Sequence, residues 1–438
     1  MKRAREEAPA ATATAIRAVT RRRVPPPPPA PTAALVTDSI SPELHDDILL
    51  ENIVPILARQ RAYTTLAALA QTCRRASREI WSHVTHLTLT SHLRVNDAVF
   101  LKFARLTSLN VHWSNTITGP SLARLTRLTV LNMARSGGLT DESLAPLDKL
   151  THLKLGHSPA VTDASVARLT RLVYLDMGGN GLLTDECLSH LTHLATLRLG
   201  WNKNITCAHL GHLTALHLDR NEGLTDAELG SLGNLTDLHL GWSDRFMDAG
   251  LAGLGNLKNL DLGHCKKITD AGLIGLSKLV KLSLGANNCV TNKSLRWFGK
   301  HGQLTVLALE GNHQITITGL HCLRKLTKLR LGSNNRITNA NLATLGNLKA
   351  LYLDSNKNIT DAVFAHLGKL TTLDLGWNKS VTNAGLATLV KLTILGLGGN
   401  PNITNAGLTP LVRLSVLKDG WNAQVTQAPR RQFRQLVW

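Results

Sequence analysis

From Val84 to the C-terminus the apolar residues follow two periods in turn. A Leu-x-Leu pair has the period of two of an extended strand, and the TDAGLAxL stretch after it places Leu at the i, i+3 spacing of a helical turn. The pairs run from Leu87/Leu89 through Leu197/Leu199, Leu216/Leu218, Leu282/Leu284 and Leu307/Leu309 to Leu395/Leu397, and a degraded copy follows at Leu417. Successive pairs lie 22 residues apart except for one gap of 19, from Leu197 to Leu216, and one of 25, from Leu282 to Leu307. One strand-and-helix unit copied about 16 times predicts an α/β solenoid in which each unit buries its apolar side against its neighbours.

The polar positions repeat as well. A Thr before Asp or Asn, as in Thr140-Asp141, Thr269-Asp270, Thr360-Asp361 and Thr404-Asn405, is placed to cap the helical turn with its hydroxyl. After most strands comes an Asn, among them Asn180, Asn202, Asn221, Asn312, Asn356 and Asn378, replaced elsewhere by Ser, His or Cys, as at Cys265. A buried amide there can satisfy backbone groups where the chain bends. Both changes of spacing fall after the Thr. They predict a shortened helical side near Cys207–Leu213 and an added turn around Trp297–Gly302, with the strands left in register.

The segment Leu348-Lys-Ala-Leu351-Tyr-Leu353-Asp-Ser-Asn356 matches the LxxLxLxxN motif residue for residue, and in this the chain resembles the leucine-rich-repeat family. The resemblance implies a horseshoe-shaped solenoid with a parallel sheet on the concave face and the TDAGL turns on the convex face. At about 4.8 Å between strands, sixteen of them would make that face roughly 70 Å long.

Residues 1–37 are rich in Ala, Thr and Pro, with Arg21-Arg22-Arg23 and Pro25 through Pro29, a composition expected to stay disordered. The stretch lacks the apolar core of a signal peptide, and no run of about 20 apolar residues occurs, so no membrane insertion and an intracellular location, cytoplasmic or nuclear, are expected. Residues 38–83 change character. Ser41-Pro42 starts a helix, Ile48, Leu49, Ile53 and Ile56 continue it, and Leu66, Leu69 and Cys73 repeat at helical spacing. Through Pro42-Glu43-Leu44, Ile48-Leu49, Leu66 to Leu69, Cys73-Arg74-Arg75 and Trp81 this segment resembles an F-box. It departs in having Ser41 before the Pro, Pro55 within the first helical run and Ala76 where the family often has Trp. The resemblance implies a helical module docking a Skp-type adaptor of a cullin complex through Pro42, Glu43, Leu44, Ile48, Leu49, Leu66, Leu69 and Trp81. A plain helical cap on the first repeat is the alternative. The domain expectation is therefore a tail over 1–37, the helical module over 38–83 and the solenoid over 84–438.

Charge adds a second candidate partner. The formal net charge is +19 over 438 residues, and much of it falls in one register, just before the first Leu of each copy: Arg105, Arg127, Lys149, Arg171, Lys278, Lys325, Lys369, Lys391 and Arg413. On a solenoid these form a stripe along one edge, which could attract nucleic acid or another anionic surface; a copied solubilising flank is the plainer account. Trp113, Trp201, Trp242, Trp377 and Trp421 share a column with Arg135, His157, Arg220 and His264, usually behind a Gly. Trp and Arg anchor protein interfaces. The outward strand positions vary, with Lys154, Asp176, Arg198, His217, His239, Asp261, Arg330, Tyr352 and Asp374. Together these nominate Arg198, Trp201, His239, Trp242, Asp261, Arg330, Tyr352, Asp374 and Trp377 as a target-binding surface.

Catalytic and cofactor chemistry leaves no trace in the motifs. The six cysteines form no CxxC, the 18 histidines show no HExxH, and there is no P-loop and no GxSxG, so neither a cofactor nor a metal site is expected. The expected function is target recognition for a cullin-type ubiquitin ligase, the module holding the adaptor and the concave face the target. A ubiquitin-independent scaffold or inhibitor and a basic anionic-surface binder are the alternatives.

Overall fold

The computed structural model describes residues 84–425, apart from 89–102, 104, 112–117, 137, 207, 335 and 419–421, together with the backbone of Gln435–Val437. The adaptor-binding residues expected within 38–83 therefore lie outside the described residues, as do Trp113, Cys207 and Trp421.

The described chain forms a leucine-rich-repeat solenoid. Seventeen three-residue strands, the first His86–Thr88 and the last Gln435–Val437, make one parallel sheet in which each strand pairs with the next in sequence. The middle Leu of each strand faces its equivalent. Leu197 partners Leu216 across the short spacing and Leu282 partners Leu307 across the long one, so both irregular units keep the sheet in register. The added residues extend the helical side instead, where Asn292–His301 is a ten-residue helix among neighbours of four to six. The strand Gln435–Val437, nineteen residues after Val416–Lys418, was not foreseen: its partner for Leu417 is Leu436, and the segment carries neither a Leu-x-Leu pair nor a following Asn.

Leu residues of strands and turns fuse into one continuous core, with Leu131, Leu175, Leu262, Leu331 and Leu375 fully buried. Two polar ladders run beside it. The buried Asn378 amide donates to the Asn356 and Ile359 carbonyls, while its oxygen accepts from the backbone of Ser380 and Val381. Asn202, Asn221 and Asn287 do the same in their own repeats, and Ser136 and Cys265 replace the amide by donating to the carbonyls of Val111 and Leu240. Each such residue satisfies groups that would otherwise be buried without partners.

On the helical side, Thr140 and Thr269 cap their turns as expected. Thr360 does not: its hydroxyl accepts from Asn339 of the preceding repeat. That contact belongs to a ladder the sequence reading missed. In most repeats the Asp or Asn that opens the helical turn bonds to the Thr one repeat later. Asp accepts twice, as in Asp141–Thr162, Asp163–Thr184, Asp270–Thr291 and Asp361–Thr382, each with one bond from the Thr backbone and one of 2.6 Å from its hydroxyl, whereas Asn339 accepts from the Thr360 backbone and donates to its hydroxyl. The residue read as a helix start therefore also joins neighbouring repeats.

Candidate functional site

Strand residues flanking the buried Leu point to the concave face, so residues one repeat apart in sequence stand side by side. Across the strands Thr196–Arg198, Ala215–His217, Asp237–His239 and Asn259–Asp261 this places Arg198, His217, His239 and Asp261 in one row. The Arg198 guanidinium lies 3.8 Å from Asp176. His239 bridges two carboxylates, with Nε2 3.0 Å from Asp237 and Nδ1 3.6 Å from Asp261, and its ring stacks on His217 at 4.0 Å between centroids.

The two imidazoles are tuned in opposite directions. Hydrogen bonding to Asp237 and Asp261 raises His239 to about 9 against the cost of burial. Burial, helped by its neighbour His239, lowers His217 to about 4. A neutral ring is thus stacked on a charged one near neutral pH. Burial also raises Asp219, one step beyond this row, whereas the bond from His239 holds Asp237 below the usual carboxylate range.

A second row lies where the chain leaves the sheet. Trp201, Arg220, Trp242 and His264, one from each of four consecutive repeats, form a continuous stack. The Arg220 guanidinium sits 4.7 Å from the Trp201 ring centroid and 5.1 Å from that of Trp242, whose other neighbour, His264, lies 3.6 Å away at 17°. The backbone sets this row. All four residues have left-handed φ, between 53° and 65°, and the amides of Trp201, Arg220 and Trp242 donate to the carbonyls of Asp219, Gly241 and Gly263 in the following repeat. The Gly before each Trp does not take the unusual conformation; the Trp does. Trp201 and Trp242 remain 58% and 56% exposed, so their neighbours do not cover them.

The nominated target-binding residues therefore fall into two groups. Arg198, Trp201, His239, Trp242 and Asp261 belong to the central cluster. Arg330, Tyr352, Asp374 and Trp377 lie farther along, separated by the strands Lys281–Ser283 and Val306–Ala308. There Arg330 pairs with Glu310 at 2.8 Å and stands over the Tyr352 ring at 5.1 Å, and a hollow of about 210 Å³ is lined by Glu310, Arg330, Tyr352, Asp354 and Asp374. Trp377 is 60% exposed. The central stack was legible only in part: the column was visible with Arg220 and His264 in it, but the stacking of its members into one continuous row was not.

The basic edge stripe is present and exposed at all nine positions. Several of its members are also tied to the preceding repeat. Lys278 donates to Asn256 and Lys369 to Asn347, each at 2.7 Å, and Lys325 reaches the Gly302 carbonyl. Part of the stripe thus serves contacts between repeats.

A family model for the Leucine Rich repeat matches residues 256–277 and 368–390. No curated protein matches the chain in sequence. Among solved structures, a TLR13–ssRNA13 complex is similar over 79% of this chain and 67% of its own, at 20% identity and a TM-score of 0.53. An internalin from Listeria monocytogenes is 25% identical over 75% of this chain and 92% of its own, with a TM-score of 0.43. The yeast Rad7–Elc1 complex gives 19% identity over 87% and 96%, with a TM-score of 0.48. These likenesses concern the fold. No helix among the described residues is long and apolar enough to cross a membrane.

Proposed function

We propose that this chain is a non-catalytic protein-binding scaffold that serves as the target-recognition subunit of a cullin-type ubiquitin ligase. The central concave cluster holds the target, and residues 38–83 hold a Skp-type adaptor. The observation that carries the binding half is the exposed Trp201–Arg220–Trp242–His264 stack beside the charged row Asp176–Arg198–His239–Asp261. Large rigid aromatic planes with charges of both signs at their edge are what protein interfaces use as anchors. The ligase half rests on the F-box resemblance of Pro42-Glu43-Leu44, Leu66 to Leu69 and Trp81. The chain supplies no chemistry in this reading: holding target and adaptor on one chain raises the rate of transfer by positioning.

Co-purification tests it. The full chain should capture a Skp-type adaptor, and joint Pro42→Ala and Leu44→Ala substitution should abolish capture while the far-ultraviolet circular dichroism stays unchanged. Failure of the wild-type chain to bind any Skp-type adaptor removes the ligase half and leaves the scaffold. Target proteins trapped by the adaptor-bound chain should be lost with Trp201→Ala plus Trp242→Ala, and only slightly weakened by charge reversal at Lys325, Lys369 and Lys391. The reverse ranking, with affinity falling steeply as salt rises, would favour the anionic-surface alternative.

A further inference from the structure

We propose that His217, Asp237 and His239 form a site for one divalent transition-metal ion of the zinc class at the centre of the concave face. One donor atom from each residue can be chosen so that all three lie within 4.8 Å of one another. Donors around a tetrahedral zinc ion, with bonds near 2.0–2.1 Å, are separated by about 3.3 Å. Closing that difference takes side-chain rotation, and the three side chains are only half-buried on the open face. The backbone is already set: His217 and His239 are register partners on hydrogen-bonded parallel strands, and Asp237 shares the face of His239 two residues earlier.

The donors are also poised individually, and an entering metal ion displaces to solvent the proton that His239 carries at Nε2. Asp237 spends one carboxylate oxygen on the Asn259 amide at 2.7 Å. Its other oxygen, Oδ1, is sealed from solvent and faces only His239 Nε2, at 3.0 Å. That oxygen is a carboxylate donor aimed into the cluster. The His217 ring takes no hydrogen bond from any described residue. His239 presents Nε2 to the cluster and Nδ1 toward Asp261 Oδ2 at 3.6 Å, and Asp261 is itself held by the Gly263 amide. A carboxylate behind the far nitrogen is the arrangement that fixes ring orientation and strengthens a metal-bound imidazole. Two imidazoles and one carboxylate suit zinc, cobalt or nickel rather than magnesium or calcium, which favour oxygen alone. Three protein donors on an open surface leave at least one coordination position for water or for a side chain of a bound partner. The metal site stands whether or not the chain serves a ligase.

The test uses the full, untagged chain stripped of metal by chelation. Titration with zinc chloride, followed by calorimetry, should show one equivalent bound with a micromolar or tighter dissociation constant. His217→Ala, His239→Ala and Asp237→Asn should each weaken binding at least tenfold, whereas His321→Ala should leave it unchanged. Should an alanine variant misfold, His217→Gln provides the same loss, and cobalt(II) titration of the wild-type chain reports the donors directly. The expected visible bands are those of low-coordinate cobalt with nitrogen and oxygen donors and no thiolate charge transfer. Absence of one-to-one zinc binding, binding indifferent to all three substitutions, or a thiolate spectrum would each overturn the assignment.

Discussion

The unit Gly-Trp-Asn/Ser occurs in the central repeats, at Gly200-Trp201-Asn202 and Gly241-Trp242-Ser243, and again in the C-terminal repeats at Gly376-Trp377-Asn378. It closes in two ways. In the central repeats the left-handed residue is the one directly before the ladder position, as at Gly179, Trp201, Arg220, Trp242 and His264. In the C-terminal repeats it moves one place earlier, to Gly285, Gly332, Asp354, Gly376 and Gly398. Gly311 keeps the later position, where the residue before it is Glu310. The rung of hydrogen bonds from each left-handed residue to the next repeat runs from Arg135 to Trp242 and, among the described residues, stops there. Since Gly241 would tolerate the earlier position as well as Gly376 does, the local residues do not choose between the two closures. Each rung joins two repeats, so a repeat adopts the closure that its neighbour can meet. The consequence is functional: the central closure aligns four side chains into a stack, and the C-terminal one leaves Trp377 without such a neighbour in the following repeat, where Gly399 stands.

The largest effect should be common to both regions, because both rest on the same core. Leu262→Ala in the central region and Leu331→Ala in the C-terminal region each leave a cavity in a fully buried column, costing about 2–5 kcal/mol. Urea unfolding should show similar losses for the two. A loss confined to one would mean that the columns are not equivalent.

Next in size, glycine substitution should separate the regions. A Cβ at Gly376, where φ is +51°, would lie 2.3 Å from the Asp354 Cα, whereas at Gly200 the nearest atom would be the Asp219 carbonyl oxygen at 3.3 Å, with no left-handed φ to strain. Left-handed backbone alone costs a Cβ roughly 1–2 kcal/mol. Gly376→Ala should therefore lower stability by more than that, and Gly200→Ala by well under it, in the same unfolding measurement. Equal losses would show that the two closures interconvert.

What the sequence discloses and what it withholds divide along the same line. The Leu columns, the Asn ladder and the longer helix at Asn292–His301 were legible because the same chemistry recurs in every copy, and a change of spacing has only one side on which to be absorbed. The shift of the left-handed residue was not, since identical Gly-Trp units take both forms. His217, Asp237 and His239 come together through strand pairing between copies, so no linear metal spacing announces them. The nominated binding residues looked like one surface because every copy offers the same column; intervening strands bearing Ser283 and Ala308 divide them.

The stack itself should be worth less than the core. Arg220 stands over two exposed indoles, and an exposed cation–π contact contributes about 0.5–1 kcal/mol. A double-mutant cycle of Arg220→Ala with Trp242→Ala should return a coupling of that order. The corresponding cycle of Trp377→Ala with Ser355→Ala, at the column position one repeat earlier, should return none. A null result for the central pair would mean that the stack is geometry without energy.

The smallest effect per residue concerns acid, and it divides the molecule again. The inter-repeat ladder on the helical side uses Asp at 141, 163, 185, 248 and 270, and turns to Asn at 292, 339 and 383, with Asp361 as the exception. Burial would raise Asp141 and Asp270, but bonds from Ser165 and Thr162, and from Ser294 and Thr291, outweigh it and hold both below the usual carboxylate range. A carboxyl lowered by folding contributes stability that is complete above its unfolded value, near 3.9, and disappears as pH falls through the folded one. An amide has no such dependence. Amide hydrogen exchange at pH 3 to 4, compared with pH 7, should therefore loosen the Asp-bridged turns between Asp141 and Thr291 ahead of the Asn-bridged turns at Asn339–Thr360 and Asn383–Thr404. Asp270→Asn, which installs the bridge that later repeats already use, should remove that difference at its own turn with little change in stability at neutral pH. Uniform acid loosening of both regions would show that the carboxylate ladder contributes nothing beyond its geometry.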